Sequence, residues 1–208
     1  MAAGRTINLD YPFTGHWLVQ NSPANRVPSH GTDLFASAYA IDFVPVDSAG
    51  RSARVMPRSL FRPEPAGLFP GFGRPVLAPC AGLVVAAEST LPDHEAYRGF
   101  PSIGYALAQR QRAARGWREL AGNHVLIRYD SCVVALCHLQ QDSVLVAPGD
   151  QVHVGQPIAG CGNSGNSTEP HVHVQVVDRF PVNAALAVPL AFRGHVPPNK
   201  HIVWVDDR

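Results

Sequence analysis

The chain of 208 residues is long enough to bury a full hydrophobic core, as one sizeable domain or two small ones. Its 17 Lys and Arg against 16 Asp and Glu leave a formal charge of +1, which excludes the electrostatic footprint of a nucleic-acid or anionic-membrane binder. With 18 Gly and 19 Pro the composition favours short strands and turns over long helices, and no stretch approaches the roughly 18 apolar residues of a membrane span.

Along the chain, "MAAGRTINLDYPF" has no basic start followed by an apolar run. No secretory signal is therefore expected, and the chain reads as cytoplasmic unless an export segment has been trimmed away. "INLDYPFTGHWLVQNSP" reads as a strand and turns, with Trp17, Leu18 and Val19 available for packing. "YAIDFVPV" (39–46) is aromatic and β-branched, the composition of a strand. Residues 47–74 are rich in Pro, Gly, Arg and Ser without periodicity, and read as a surface excursion. Strand signal returns at 74–88, broken by Pro79 and Gly82. Residues 89–122 form a second excursion with a helix predicted in "IGYALAQRQRAARGWREL", whose apolar side would use Leu107, Ala113 and Trp117.

Strands then crowd together at 123–130, 132–139, 143–146, 156–162 and 171–178, separated by short turns. The reading is one mainly β domain over 1–208, a compact antiparallel sheet with one helical insertion. The insertions at about 47–74 and 89–122 are placed to wall a groove for substrate. Cys80, Cys132, Cys137 and Cys161 form no C-x-x-C pair and read as buried thiols, not a disulfide framework.

Some motifs fail in context. Gly160 to Gly165 fits G-x-G-x-x-G, but a turn and a strand follow it where a dinucleotide fold needs a helix. "HEAYR" (94–98) ends in Arg98 and does not complete a zinc-binding H-E-x-x-H. "VAPGDQVHVGQPIAG" is like the hairpins of lipoyl and biotinyl carriers, yet lacks the lysine such a hairpin needs.

What survives is a set of histidines and one aspartate. Ten histidines are many for this length. His171 and His173 stand two apart in "STEPHVHVQVVD", so a strand points both to one face, roughly 7 Å apart along the backbone. Asp42 lies inside an apolar strand, where an ionised carboxylate is costly unless paired or metal-bound. His30 sits in the turn-like "PSHGTD", and His138 ends the apolar run 133–137. Four histidines and a carboxylate more than cover the donors of a catalytic zinc site and leave imidazoles for acid–base work.

The stretch "GNHVLIRY…CHLQQDSVLVAPGDQVHVGQPIAGCGNSGNSTEPHVHVQV" resembles the lysostaphin-like (LytM-type) zinc endopeptidases, which cut peptidoglycan stems and cross-bridges. The resemblance runs from about His30 to Asp178, leaving the excursions aside. It implies one Zn2+ per chain held by His30, Asp42 and His173, with His138 and His171 catalytic. The family often writes its first ligands as H-x-G-x-D, and His30-Gly31-Thr32-Asp33 is one residue short of that. A longer variant places the aspartate in a strand like Tyr39–Phe43, which selects Asp42 and leaves Asp33 as the fallback.

The implied activity is metalloendopeptidase hydrolysis of a peptidoglycan peptide or another peptide containing Gly or D-amino acids. His171 would deprotonate water, and His138 would steady the oxyanion or protonate the leaving amine. The turn 162–168 would form one rim of the groove. A non-catalytic wall-binding or hydrolase-activating domain, and a zinc peptidase acting on other peptides, are the alternatives. His16, His94, His153, His195 and His201 read as loop or edge residues, while His124 is a candidate groove residue. The tail from Arg179 is expected to cover the sheet's edge.

Overall fold

The computed structural model describes residues 6–54, 57–107 and 109–206. In chain order the strands are β1 (Ile7–Leu9), β2 (Gly15–Gln20), β3 (Ile41–Pro45), β4 (Pro75–Leu77) and β5 (Gly82–Glu88). Helices α1 (Phe100–Leu107), α2 (Gln109–Ala113) and α3 (Trp117–Ala121) follow. Then come β6 (Asn123–Tyr129), β7 (Cys132–Leu139), β8 (Gln151–Val152), β9 (Pro157–Gly160), β10 (Val172–Val177), β11 (Leu190–Phe192) and β12 (Ile202–Val205).

Eight of these make one antiparallel sheet in the order β12-β2-β3-β10-β7-β6-β5-β8. β1 pairs in parallel with β11, and β4 pairs antiparallel with β9. The architecture is mainly β, as the short strands and frequent turns imply. The tail contributes β12, which closes the sheet's edge against β2.

Side-chain alternation divides the sheet into two faces. Trp17, Val19, Ile41, Phe43, Val172, Val174, Val134 and Leu136 turn to the main core, where Phe13 stacks on Trp17 at 4.5 Å and Tyr11 on Phe192 at 5.1 Å. The opposite face carries a smaller cluster with Val133, Ala135, Cys137 and Val177, and it is this second face that holds the polar residues of interest.

Two expectations need correction. Ser143–Val146 is not a strand: Leu145 N–H donates to the Ile158 carbonyl and Val144 N–H to Ser89 Oγ, isolated bonds without a ladder. The single helix expected at 103–120 is three short helices, and Gly116 at φ 99° separates α2 from α3 in a conformation no helix continues through. Trp117 packs on the smaller cluster. The side chain of Leu107 lies outside the described residues.

The excursions are also more than loose surface. Glu64 is buried, accepts hydrogen bonds from Ser59 and Arg98, and lies across a backbone bridge from Ala96. Ala53, Phe69 and Ala96 form a small core between the two segments. An ion pair so enclosed contributes through its added hydrogen bonds and its joining of distant segments.

Candidate metal centre

A single row of residues crosses five strands on the polar face. Gln20 pairs with Asp42, Asp42 with His173, His173 with Cys137, and Cys137 with His124. The register therefore sets Asp42 and His173 side by side, although 131 residues separate them in sequence. His30 reaches the same point from the loop before β3. Its Nε2 lies 3.0 Å from Asp42 Oδ2, and His173 Nδ1 lies 2.9 Å from Asp42 Oδ1. One ligand atom from each of the three residues falls within 4.8 Å of the others.

Asp42 is 5 % exposed. Burial alone would raise its pKa, but the facing imidazoles of His30, His171 and His173 outweigh that and hold it well below the ordinary carboxylate range. Asn21 Nδ2 donates a further hydrogen bond to Oδ2 at 2.7 Å. The carboxylate is thus ionised, with one firm hydrogen-bond donor in Asn21.

The outer partners of both imidazoles decide which nitrogen faces Asp42. Gln175 Nε2 donates to the Phe35 carbonyl at 3.1 Å, so its Oε1 must be the atom 3.0 Å from His173 Nε2. His173 then carries a proton on Nε2 and leaves Nδ1 toward Asp42. Ser29 Oγ donates to the Ser37 carbonyl and accepts from His30 Nδ1 at 2.9 Å, which leaves Nε2 of His30 toward Asp42. In the neutral rings two nitrogen lone pairs thus converge on a carboxylate. That arrangement is repulsive unless each ring takes a second proton or one cation sits among them, which is what a divalent metal site requires. Burial lowers the pKa of His173, yet Asp42 overcomes this and the net shift is upward. The donor set fits a metal ion.

His138 and His171 stand beside this group, their ring centroids 4.7 Å apart. His171 Nε2 lies 3.8 Å from Asp42 Oδ1. Each ring has Nδ1 against a backbone carbonyl, Ser164 for His138 at 2.9 Å and Glu169 for His171 at 2.8 Å. Those carbonyls only accept, so the neutral rings carry Nδ1–H and keep an unprotonated Nε2. Burial and then the neighbouring His171 and His173 hold the His138 pKa well below its ordinary value.

A bulge brings His138 into place. β6 pairs Asn123 with Leu139 and His124 with Cys137, leaving His138 as an extra residue with φ at 63°. Regular alternation would send it to the core beside Leu136; the bulge gives that slot to Leu139 instead. A non-glycine residue in the left-handed region is strained, and such strain concentrates where geometry matters. Gly162 N–H donates to the His138 carbonyl, and a Cβ on Gly162 would lie 2.3 Å from Gln140 N, so only glycine allows this approach.

The five residues border one cavity of about 320 Å³. Tyr105, Trp117 and Leu120 from the helical segment line it, as do Phe35, Asn166 and Thr168. The turn 162–168 therefore does contribute a rim. His124 does not line the cavity: Trp117 lies over it at 4.6 Å between centroids, and its Nδ1 bonds to the Gly122 carbonyl. Asp33 is exposed at the start of a short 3-10 turn, away from the donor group. Cys137 shares the row, but burial and then Asp42 push its thiol pKa up, so it stays protonated. All four cysteines are buried and free. His16 lies within β2, which β12 covers, so it is not an edge residue. Asn21, Ser29, Gln175 and Ser167 escaped the sequence reading. Only Gln175 had a signal, its place two residues beyond His173 on the same face.

Residues 105–184 match the profile of Peptidase family M23, a region that includes His138, His171 and His173 but neither His30 nor Asp42. Over 73 residues the chain is 38% identical to Peptidoglycan DD-endopeptidase ShyA and 41% identical to Peptidoglycan DD-endopeptidase ShyB, both of Vibrio cholerae serotype O1. Each match covers 34% of this chain and 17% of the relative, so these curated relatives are much longer than the region they share with it. Among solved structures, the catalytic domain of lysostaphin from Staphylococcus simulans aligns with 72% of this chain and 74% of its own, at 20% identity and a TM-score of 0.40. The profile match takes in the H-x-H pair and the bulged histidine, and over residues 105–184 the chain is similar to Peptidase family M23.

Proposed function

We propose that this chain is a zinc-dependent endopeptidase that hydrolyses peptide bonds in peptidoglycan stems or cross-bridges. The observation that carries the reading is the convergence of His30 Nε2, Asp42 and His173 Nδ1 beside two further imidazoles in one groove. The shared region with two peptidoglycan DD-endopeptidases supports the substrate class.

Zinc held by His30, Asp42 and His173 would supply a Lewis acid and lower the pKa of water at the site. The chain's own residues manage the protons. His171, the nearer of the two remaining imidazoles to the Asp42 carboxylate, takes a proton from the attacking water at Nε2 and returns it to the leaving amine. The carboxylate 3.8 Å away stabilises the imidazolium formed in between. His138 begins uncharged with its only proton committed to the Ser164 carbonyl. It therefore has no N–H to offer an oxyanion at the outset, and its Nε2 acts by accepting a hydrogen bond from the water. The rim at Asn166 and Thr168 and the wall at Tyr105, Trp117 and Leu120 would hold an extended peptide across these atoms.

Purified protein with zinc should release peptide fragments from peptidoglycans of defined cross-bridge type, identified by mass spectrometry, and a chelator should stop the release. His173→Ala should lose zinc by elemental analysis, whereas His138→Ala should keep zinc and lose cleavage. Zinc-loaded protein that opens no peptide bond in any wall tested would overturn the reading.

A further inference from the structure

His138 and His171 both take their orientation from one loop, residues 162–169. That loop is held from outside the site by the second excursion. Asp93 Oδ1 accepts from Asn163 N–H at 2.6 Å, while Oδ2 accepts from Gln141 N–H at 2.9 Å. Asn163 Nδ2 donates to the His94 carbonyl at 2.8 Å, which turns its Oδ1 toward Ser167. Ser167 Oγ lies 2.7 Å from that Oδ1 and 2.9 Å from His171 Nδ1. Asn163 and Ser167 are fully buried. Further along, His94 Nε2 and Tyr105 Oη both meet the Gly165 carbonyl, and Arg112 Nε donates to Asn166 Oδ1.

Ser167 Oγ also lies 2.7 Å from the Glu169 carbonyl, so its hydrogen faces two oxygens that only accept, that carbonyl and Asn163 Oδ1. Whichever of the two takes the hydrogen, Ser167 presents lone pairs to His171 Nδ1. A serine turned the other way would donate to Nδ1 and place the ring's proton on Nε2, where it would block the atom that must accept from water. We propose that Asn163 and Ser167 are positioning residues, a buried relay running from Asp93 and His94 in the helical excursion to His171, that holds this ring as the Nδ1–H tautomer with Nε2 free in the groove. The proposal rests on the peptidase reading for its consequence in catalysis, but the orientation of the ring is a property of the chain itself.

Ser167→Ala removes a single oxygen, and Asn163→Ala reaches the same ring from the far end of the relay. In both, zinc per chain should stay at the wild-type value, kcat should fall about 10- to 100-fold and KM should stay within about twofold. Ser167→Thr, which restores the hydroxyl, should recover most of kcat. Imidazole 15N spectra of the zinc-loaded protein should show the Nδ1–H form of His171 in wild type and a rising share of Nε2–H in the Ala variants. Wild-type kcat and wild-type 15N signals in both Ala variants would overturn the relay, as would a raised KM at unchanged kcat. If wild type itself cleaves no wall peptide, the functional reading fails and the 15N signals alone decide the relay.

Discussion

The two imidazoles at Asp42 face it through different nitrogens, His30 by Nε2 and His173 by Nδ1. For His173 the choice belongs to Gln175, whose amide is turned by the carbonyl of Phe35, 140 residues earlier in the chain. Gln175→Leu keeps the side-chain size and removes the acceptor. His173 Nε2–H is then left without a partner, and the ring is free to present its protonated nitrogen to Asp42. Zinc affinity should fall about 10- to 100-fold in competition with a coloured chelator, with the fold intact by circular dichroism. Unchanged affinity would mean that the strand backbone alone orients His173. Strand parity marks Gln175 as a neighbour of His173 from sequence. Its role is not legible there, because the amide orientation depends on a contact that only the folded chain brings about.

At the scale of elements, β7 shows why the site was only partly readable. "CVVALCHL" alternates cleanly, and alternation alone would bury His138 with Val134 and Leu136. The bulge that reverses this is set by pairing with β6, not by the local sequence. His173 is legible because β10 has no such break, and His171 because it directly precedes that strand. The helices were misjudged in number, yet α3 has a definite tie to the sheet: Arg118 Nε donates to Glu88 Oε2 at 2.8 Å, and the Thr90 hydroxyl donates to Oε1 at 2.6 Å. The Thr90 hydroxyl foremost, with Arg118 adding to it and partial burial opposing, lowers the Glu88 pKa from 4.5 to about 2. A folded-state value below the unfolded one means stability that is present above pH 4.5 and is lost as pH falls from there toward 2. Glu88→Gln should therefore lower the urea midpoint at pH 7 and leave it nearly unchanged at pH 2. An equal loss at both values would show that packing of the side chain matters, not its charge.

At the scale of the molecule, the candidate donors come from a loop before β3, from β3 and from β10, with His138 and His171, the proposed acid–base pair, from the end of β7 and the turn into β10. The matched family region starts at residue 105 and so omits the first two donors; burial cost marks Asp42 as anomalous in sequence, and the pairing of His30 with Asp42 as ligands comes from the resemblance. The sheet order then explains the distance in sequence, since β3 and β10 are neighbours although most of the chain lies between them. A cation bound there ties together segments that an unfolded chain would hold far apart, and the unfolded chain offers no comparable site. Zinc at 100 times its dissociation constant should add about 2.7 kcal/mol to stability. For a domain of this size that raises the melting temperature by roughly 5–11 °C over chelator-treated protein. His173→Ala should abolish the difference, because a buried carboxylate with one imidazole cannot hold the ion as three donors do. His138→Ala should keep it, since His138 lies outside the donor group. Calorimetric scans of the three proteins with zinc and with chelator separate binding from chemistry without any substrate. A wild-type melting temperature indifferent to zinc, or a His173→Ala protein that still responds to it, would remove His30, Asp42 and His173 as the site of the ion.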